Sequence, residues 1–113
     1  FNVNRGALAA GVEAIKDNNW INRSVRHNTE WAKKIFLILN EKKIITNQPT
    51  ANFFLMNFDN VNINADEVFK KLANKRLILR TLKQYKIPNS LRFTIGNKQV
   101  NEYFIKTIKN ILK

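Results

Sequence analysis

The sequence predicts an α+β domain, in which helices pack against one small sheet. Two long stretches, residues 5–17 and 20–41, repeat apolar residues every three or four positions, as amphipathic helices do. Three short apolar stretches, bounded by turn residues, have the length of β-strands. The second half of the chain has the order βαββα, and this mixture of strands and helices favours a sheet layer packed with helices.

The first half of the chain is predicted to be helical. In the helix at residues 5–17, Gly6 and Gly11 cost helix propensity and indicate close packing against another element. Its apolar stripe is Leu8, Val12 and Ile15. Asp17 interrupts the pattern before the longer helix at residues 20–41. The apolar stripe of that helix is Ile21, Val25, Ala32, Ile35 and Leu39.

The middle of the chain contains the first strand and a third helix. Ile44 and Ile45 are predicted to form a short extended piece before a loop. Residues 52–58 form a strand that is apolar on both faces and is therefore expected to be well buried. Asn64 and Glu67 have the spacing of a capping box, which predicts a helix over residues 65–74. This helix is expected to bury Val68, Phe69 and Leu72.

Two more strands and a helix complete the prediction. Residues 77–80 are the second strand, and residues 91–95 are the third. In the third strand, Leu91, Phe93 and Ile95 share one face and Arg92 and Thr94 share the other. Asn97 is a good N-cap for a final helix at residues 98–113. The expected buried residues of that helix are Val100, Phe104, Ile108, Ile111 and Leu112.

The composition excludes some functional classes. The chain has no cysteine, which rules out disulfides and thiolate metal sites, and no apolar stretch in it has the length of a membrane span. Its formal net charge of +12 raises the possibility of a nucleic-acid-binding module. However, the chain also contains 18 Asn and 13 Ile beside its 14 Lys, which fits a genome rich in A and T, and only 6 of its 20 basic residues are arginine. We therefore interpret the charge as compositional background.

The residues provide no catalytic machinery. The single histidine, His27, lies within the long helix and is interpreted as a solvated helix histidine. The eight acidic residues are scattered, so neither a metal site nor a pair of catalytic carboxylates is expected. Ser24 and Ser90 have no base at a recognisable spacing. We predict no catalytic, cofactor-binding or metal-binding residue in this chain.

Two arginines, Arg80 and Arg92, are the candidate site residues. Each belongs to a short apolar strand, and a guanidinium in that position must reach water, a partner or a bound anion. The alternative to anion binding is an edge-strand arginine that pairs with a surface acid or extends outward into water, and the residues alone leave both open.

Several segments together resemble the C-terminal ends of class I and II aminotransferases that depend on pyridoxal phosphate (PLP), and among them most the histidinol-phosphate aminotransferase family. The segments are residues 51–55 (ANFFL), 77–80 (LILR) and 87–96 (IPNSLRFTIG). Residues 1–4 (FNVN) and 27–28 (HN) are also similar to that family. The resemblance spans essentially the whole chain in order.

The resemblance implies a specific reaction and site. Family members have fold type I, with a large PLP-binding domain and a small C-terminal α+β domain. They act as cytoplasmic homodimers in histidine biosynthesis, and they transfer an amino group between L-histidinol phosphate and 2-oxoglutarate. Arg92 would bind the substrate phosphate or α-carboxylate, and Arg80 would help to bind the phosphate. Small phosphate or carboxylate substrates are thus the expected ligands, with neither nucleic acid nor membrane as a partner.

The resemblance also implies a division of the chain. Residues 1–42 would be a helical lead-in from the large domain, and residues 43–113 would be the small C-terminal domain. The cofactor lysine of the family would lie before Phe1, so the chain by itself is expected to be an inactive fragment, with PLP bound by the upstream domain.

Three alternatives remain open. The first is another enzyme of the same family, such as an aromatic aminotransferase or a threonine-phosphate decarboxylase. The second is a small basic nucleic-acid-binding module, against which we note that Phe53, Phe69, Phe93 and Phe104 fall on predicted core faces. The third is a structural domain in which both arginines form surface ion pairs.

Overall fold

The structure, a computed structural model, describes residues 2–44, 46 and 48–113 of the chain. Its elements in chain order are α1 (Arg5–Lys16), α2 (Asn18–Glu41), β1 (Phe53–Asn57), α3 (Ala65–Ala73), β2 (Arg80–Thr81), a short 3₁₀ helix (Lys83–Tyr85), β3 (Ser90–Thr94) and α4 (Lys98–Ile111). The predicted α+β class and the βαββα order are confirmed. Within the described ranges, no helix has both the length and the apolar character needed to cross a membrane.

Helix α1 and the first half of α2 bury no residue. The apolar stripe of α1 is exposed, with Leu8 at 56% and Ile15 at 75% of their maximal areas. A Cβ added at Gly11 would meet no heavy atom within 4 Å, so the predicted close packing at this glycine is absent from the described residues. Helix α2 begins two residues earlier than predicted, because the side chain of Asp17 accepts a hydrogen bond from the Trp20 N–H and caps it.

The second half of α2 enters the hydrophobic core. Trp31, Ile35 and Leu39 are buried there, whereas Ile21 and Val25 of the predicted stripe are exposed. The predicted stripe is therefore correct only in its later part, because only that part of the helix has a described element to pack against.

Strand β3 is the middle strand of a three-stranded antiparallel sheet with the order β1-β3-β2. Buried side chains cover one face of this sheet and pack on the helices; they include Phe54, Met56, Leu91 and Phe93. The expectation that β1 is buried on both faces is wrong, since its side chains alternate and Phe53 is 36% exposed. The prediction that Phe53 lies on the core face is therefore wrong.

Strand β2 is shorter than predicted. Leu77 and Leu79 are buried, as expected for an apolar segment, but only Arg80 and Thr81 pair with β3. The backbone N–H of Leu77 instead donates to the carbonyl of Leu72 at the end of α3, over 3.0 Å. Closing the helix end thus removes this donor from the sheet.

Helices α3 and α4 begin at the predicted caps. The Asn64 side chain accepts from the backbone N–H of Glu67, and the Asn97 side chain accepts from that of Val100. Val100 itself is 41% exposed, so its predicted burial is wrong, and the next residue, Asn101, is fully buried instead. The sequence also predicts a short extended piece at Ile44 and Ile45. Ile44 is buried, and Ile45 lies outside the described residues.

Asn89 organises the turn that leads into β3. Its side chain accepts from the N–H of Ala65, the first residue of α3, over 2.8 Å. It also donates to the carboxylate of Asp59 over 2.6 Å. This hydrogen bond from Asn89, together with one from Asn57, lowers the pKa of Asp59 below its ordinary value of 3.8. The turn thus fixes the start of the strand that carries Arg92.

Candidate anion-binding site

Arg92 lies in the middle of β3, on the sheet face away from the helices. Its strand neighbours Leu91 and Phe93 point into the core. Because side chains alternate along a strand, Arg92 between them points to the opposite face. The centre of its guanidinium lies 5.2 Å from the centre of the Phe53 ring, in a cation–π contact. A strand with neighbours on both sides holds this arginine in one place.

One nitrogen of Arg92 is an unsatisfied hydrogen-bond donor. Its Nε is buried and has no hydrogen-bond partner among the described residues. Most buried donors in folded proteins are satisfied, so an exception requires a specific explanation. Nε is covered by the surrounding residues, so a phosphate or carboxylate would instead accept in parallel from the two terminal nitrogens of the guanidinium.

Arg80 stands directly across the sheet from Arg92. The two residues are partners in the register of β2 and β3. The Arg80 guanidinium donates to the hydroxyl of Tyr85, at the end of the 3₁₀ helix, and its centre lies 5.2 Å from the centre of that ring. Tyr85 thus holds an exposed arginine that would otherwise sample many rotamers.

The pair has no counter-charge. The ion pairs of the described residues are Lys16–Glu13, Lys83–Asp66 and Lys98–Glu102, and none involves Arg80 or Arg92. Like charges directly opposite each other on neighbouring strands are destabilising. The described residues therefore do not support the alternative in which both arginines form surface ion pairs.

Arg80 and Arg92, together with Arg76, border an open depression of about 350 Å³. Apolar side chains line it beside the guanidinium groups, including the exposed Ile78 and Val100. A small ligand could place an anionic group on the arginines there and an apolar part against these side chains.

The described lysines lack the environment that a cofactor lysine needs. A lysine that forms a Schiff base must be desolvated in a pocket to become nucleophilic. Among the described residues no lysine is buried, since Lys42 and Lys109 are half-buried and the other lysines are exposed.

The structure identifies two residues near the arginines that the sequence did not reveal, and it corrects the interpretation of His27. Phe53 and Tyr85 support the two guanidinium groups; the period-two alternation of β1 could have indicated the first, but only a known register would have placed it beside Arg92. The interpretation of His27 as a solvated residue is wrong. His27 is half-buried, and its Nε2 lies 2.8 Å from the carbonyl oxygen of Gly96.

Comparison with known proteins points to one family. The model of the aminotransferase class I and II family matches residues 1–108. A histidinol-phosphate aminotransferase from Pelagibacter ubique is 47% identical over 112 residues, which cover 98% of this chain and 31% of that protein. The chain thus spans about a third of the length of this relative.

Solved structures share the fold. The histidinol-phosphate aminotransferase from Clostridium acetobutylicum matches with a TM-score of 0.83 at 24% identity, covering 94% of this chain and 32% of that one. A decarboxylase from Sulfurospirillum multivorans matches with a TM-score of 0.72 at 17% identity, covering 100% of this chain and 33% of that one. Because the family model extends over nearly the whole sequence, the chain belongs to the class I and II aminotransferase family.

Proposed function

We propose that this chain is the substrate-anion-binding part of a histidinol-phosphate aminotransferase. The complete enzyme would transfer an amino group between L-histidinol phosphate and 2-oxoglutarate. The relative that is 47% identical has this name, which favours this substrate over others used in the family. The observation that carries the proposal is that two arginines without a described counter-charge occupy paired positions of β2 and β3.

The two arginines would have different roles. Arg92 is half-buried, and its planar guanidinium would bind the phosphate, or the α-carboxylate of glutamate, through two parallel hydrogen bonds from its terminal nitrogens. Arg80 is exposed and anchored by Tyr85, so it would add a second positive charge at the outer side of the anion. A phosphate dianion can engage both groups, which suits a phosphate-bearing substrate.

The cofactor would be PLP, held by a part of the enzyme outside this chain. When bound, it would contribute the electron sink of the reaction. The role left to this chain is to bind and orient the substrate, and accurate orientation accounts for much of the catalytic effect of enzymes.

We also propose that residues 1–42 connect this domain to the rest of the enzyme. Helix α1 buries nothing, and a helix of its length is marginal in water without packing. Its exposed apolar stripe would lie against the large domain, while Trp31, Ile35 and Leu39 anchor the end of α2 in the core of residues 43–113. That the complete enzyme is a homodimer in the cytoplasm remains a prediction from the resemblance.

A direct test is an amino-transfer assay of the complete enzyme with 2-oxoglutarate as acceptor. We expect L-histidinol phosphate to be the preferred donor, measured as kcat/KM against phenylalanine and tyrosine. Release of carbon dioxide from phosphothreonine would indicate a decarboxylase instead. A preference for either rival substrate would overturn the proposed substrate while leaving the family unchanged.

The nucleic-acid alternative predicts a different result. Such modules stack bases on exposed aromatic side chains, and their affinity falls steeply with salt. Here Phe54, Phe58, Phe93 and Phe104 are buried in the core, and the exposed aromatics Trp20, Tyr85 and Tyr103 lie on three separate helices. We expect no binding of single-stranded DNA or RNA at physiological salt beyond weak, charge-driven association.

A further inference from the structure

The carbonyl group of Gly96 receives side-chain donors from two different helices. His27 Nε2, on α2, lies 2.8 Å from this oxygen, and Asn101 Nδ2, on α4, lies 2.9 Å from it. A carbonyl oxygen only accepts hydrogen bonds, so Nε2 of His27 must carry a proton. The Asn101 Oδ1 accepts in return from the N–H of Gly96 over 2.8 Å, which fixes the orientation of the amide.

The packing around Gly96 shows a close, specific junction. Asn101 is fully buried, and an amide is costly to bury unless its hydrogen bonds are made, as they are here. A Cβ added at Gly96 would lie 3.0 Å from Cγ1 and 3.2 Å from Cβ of Val100, so a side chain there would crowd α4. We name the three residues His27, Gly96 and Asn101 the Gly96 clamp.

The Gly96 clamp joins the end of β3, the strand that carries Arg92, to helix α2. Gly96 follows Arg92 by four positions, and the N–H of Ile95 still pairs with the Asn52 carbonyl of the neighbouring chain segment over 2.8 Å. On the other side, His27 lies one turn before Trp31, the first buried residue of α2. The clamp therefore sits where α2 passes from the domain core to its exposed half.

We propose that His27 and Asn101 are positioning residues for Arg92. By holding the end of β3 against α2, they fix the direction in which Arg92 presents a bound anion to the rest of the enzyme. This inference rests on the proposed function, because it requires that Arg92 binds the substrate. Among the described residues, the clamp makes no hydrogen bond with Arg80, Arg92 or Phe53, so it would affect the orientation of the whole strand and not the contacts among these three residues.

The test compares two donors in the complete enzyme. L-histidinol phosphate uses the arginines, whereas L-histidinol has neither a phosphate nor a carboxylate group. The ratio of their kcat/KM values does not depend on how much enzyme is folded, so a merely destabilised variant leaves it unchanged. Activity on histidinol is measured at high enzyme concentration in single turnovers.

His27→Phe keeps a ring but removes the donor to Gly96. We expect the ratio to fall about ten- to a hundredfold, since a misplacement of about 1 Å at a reacting group can reduce the rate about a hundredfold. His27→Gln places an amide nitrogen near the position of Nε2, and it should restore most of the ratio. Should His27→Phe not fold, His27→Leu removes the same donor and tests the same point.

The matched control is Asn97→Ala. It removes the cap of α4 next to the clamp, and so destabilises the same region, without touching the Gly96 carbonyl. The ratio should stay at the wild-type value in this variant. An unchanged ratio in His27→Phe, or an equal fall in Asn97→Ala, would overturn the positioning role. An unchanged ratio in Arg92→Ala would instead overturn the proposed function.

Discussion

Replacement of Arg92 by alanine in the complete enzyme tests the anion site most directly. The change removes a half-buried guanidinium whose Nε has no acceptor in the described residues. It leaves the core face of β3 untouched, because Leu91 and Phe93 point the other way. We therefore expect a loss of substrate binding without a loss of the fold.

The size of the loss follows from the geometry. Arg92 can offer two parallel hydrogen bonds to an anion, and hydrogen bonds to charged groups contribute roughly 1.5–3 kcal/mol each. Removing one member of a desolvated charge pair costs about 2–5 kcal/mol. Because a tenfold change corresponds to about 1.36 kcal/mol, kcat/KM for histidinol phosphate should fall about 30-fold to about 5,000-fold.

Two further variants make the assay specific. Arg92→Lys retains the charge but not the planar pair of donors, so it should recover only part of the loss. Lys70→Ala removes a positive charge from the exposed side of α3, away from the depression, and should leave kcat/KM near the wild-type value. If Arg92→Ala stayed within about twofold of wild type, the charge-pair argument would fail, since that ratio is worth less than about 0.5 kcal/mol.

Three other predictions concern neighbouring features. Arg80→Ala should raise KM for histidinol phosphate more than KM for glutamate, and Tyr85→Phe should cause a smaller rise in the same direction, because the hydroxyl only holds the Arg80 guanidinium. Asn64→Ala should lower the free energy of unfolding by about 1 kcal/mol in urea titrations, since it removes the N-cap of α3; an unchanged midpoint would show that water replaces the cap. The pKa of Asp59 is lowered in the folded state, mainly by Asn89, so its contribution to stability is present above its ordinary pKa of 3.8 and is lost as the pH falls below it. Asp59→Asn should therefore flatten the fall in thermal stability between pH 5 and about pH 2, and an unaltered pH profile would contradict that assignment.

Local signals in the sequence predicted the elements well. The caps at Asn64 and Asn97 are formed as their spacing indicated, since a cap joins residues only three positions apart. Alternation in β3 also placed Arg92 on the face opposite Leu91 and Phe93. Such features depend on neighbours along the chain, which the sequence states explicitly.

Long-range features were predicted poorly. Nothing local indicated that β2 would shrink to two residues or that Asn101, rather than Val100, would be buried. The burial of Asn101 depends on the backbone of Gly96, and the environment of His27 depends on the same carbonyl, which is 69 residues away in the chain. A helical pattern cannot show which of its polar residues will find a partner in another element.

The sequence by itself determined the α+β class, the positions of most helices and strands, and the identity of the two arginines as residues that must reach water, an acid or a bound anion. Only the tertiary structure decided how the two arginines lie relative to each other. It set the register that places Arg80 opposite Arg92, and it brought no described acid to either one. The physical reason is that strand register and packing of α2 on the sheet arise from the burial of the whole core at once, and no short segment contains that information.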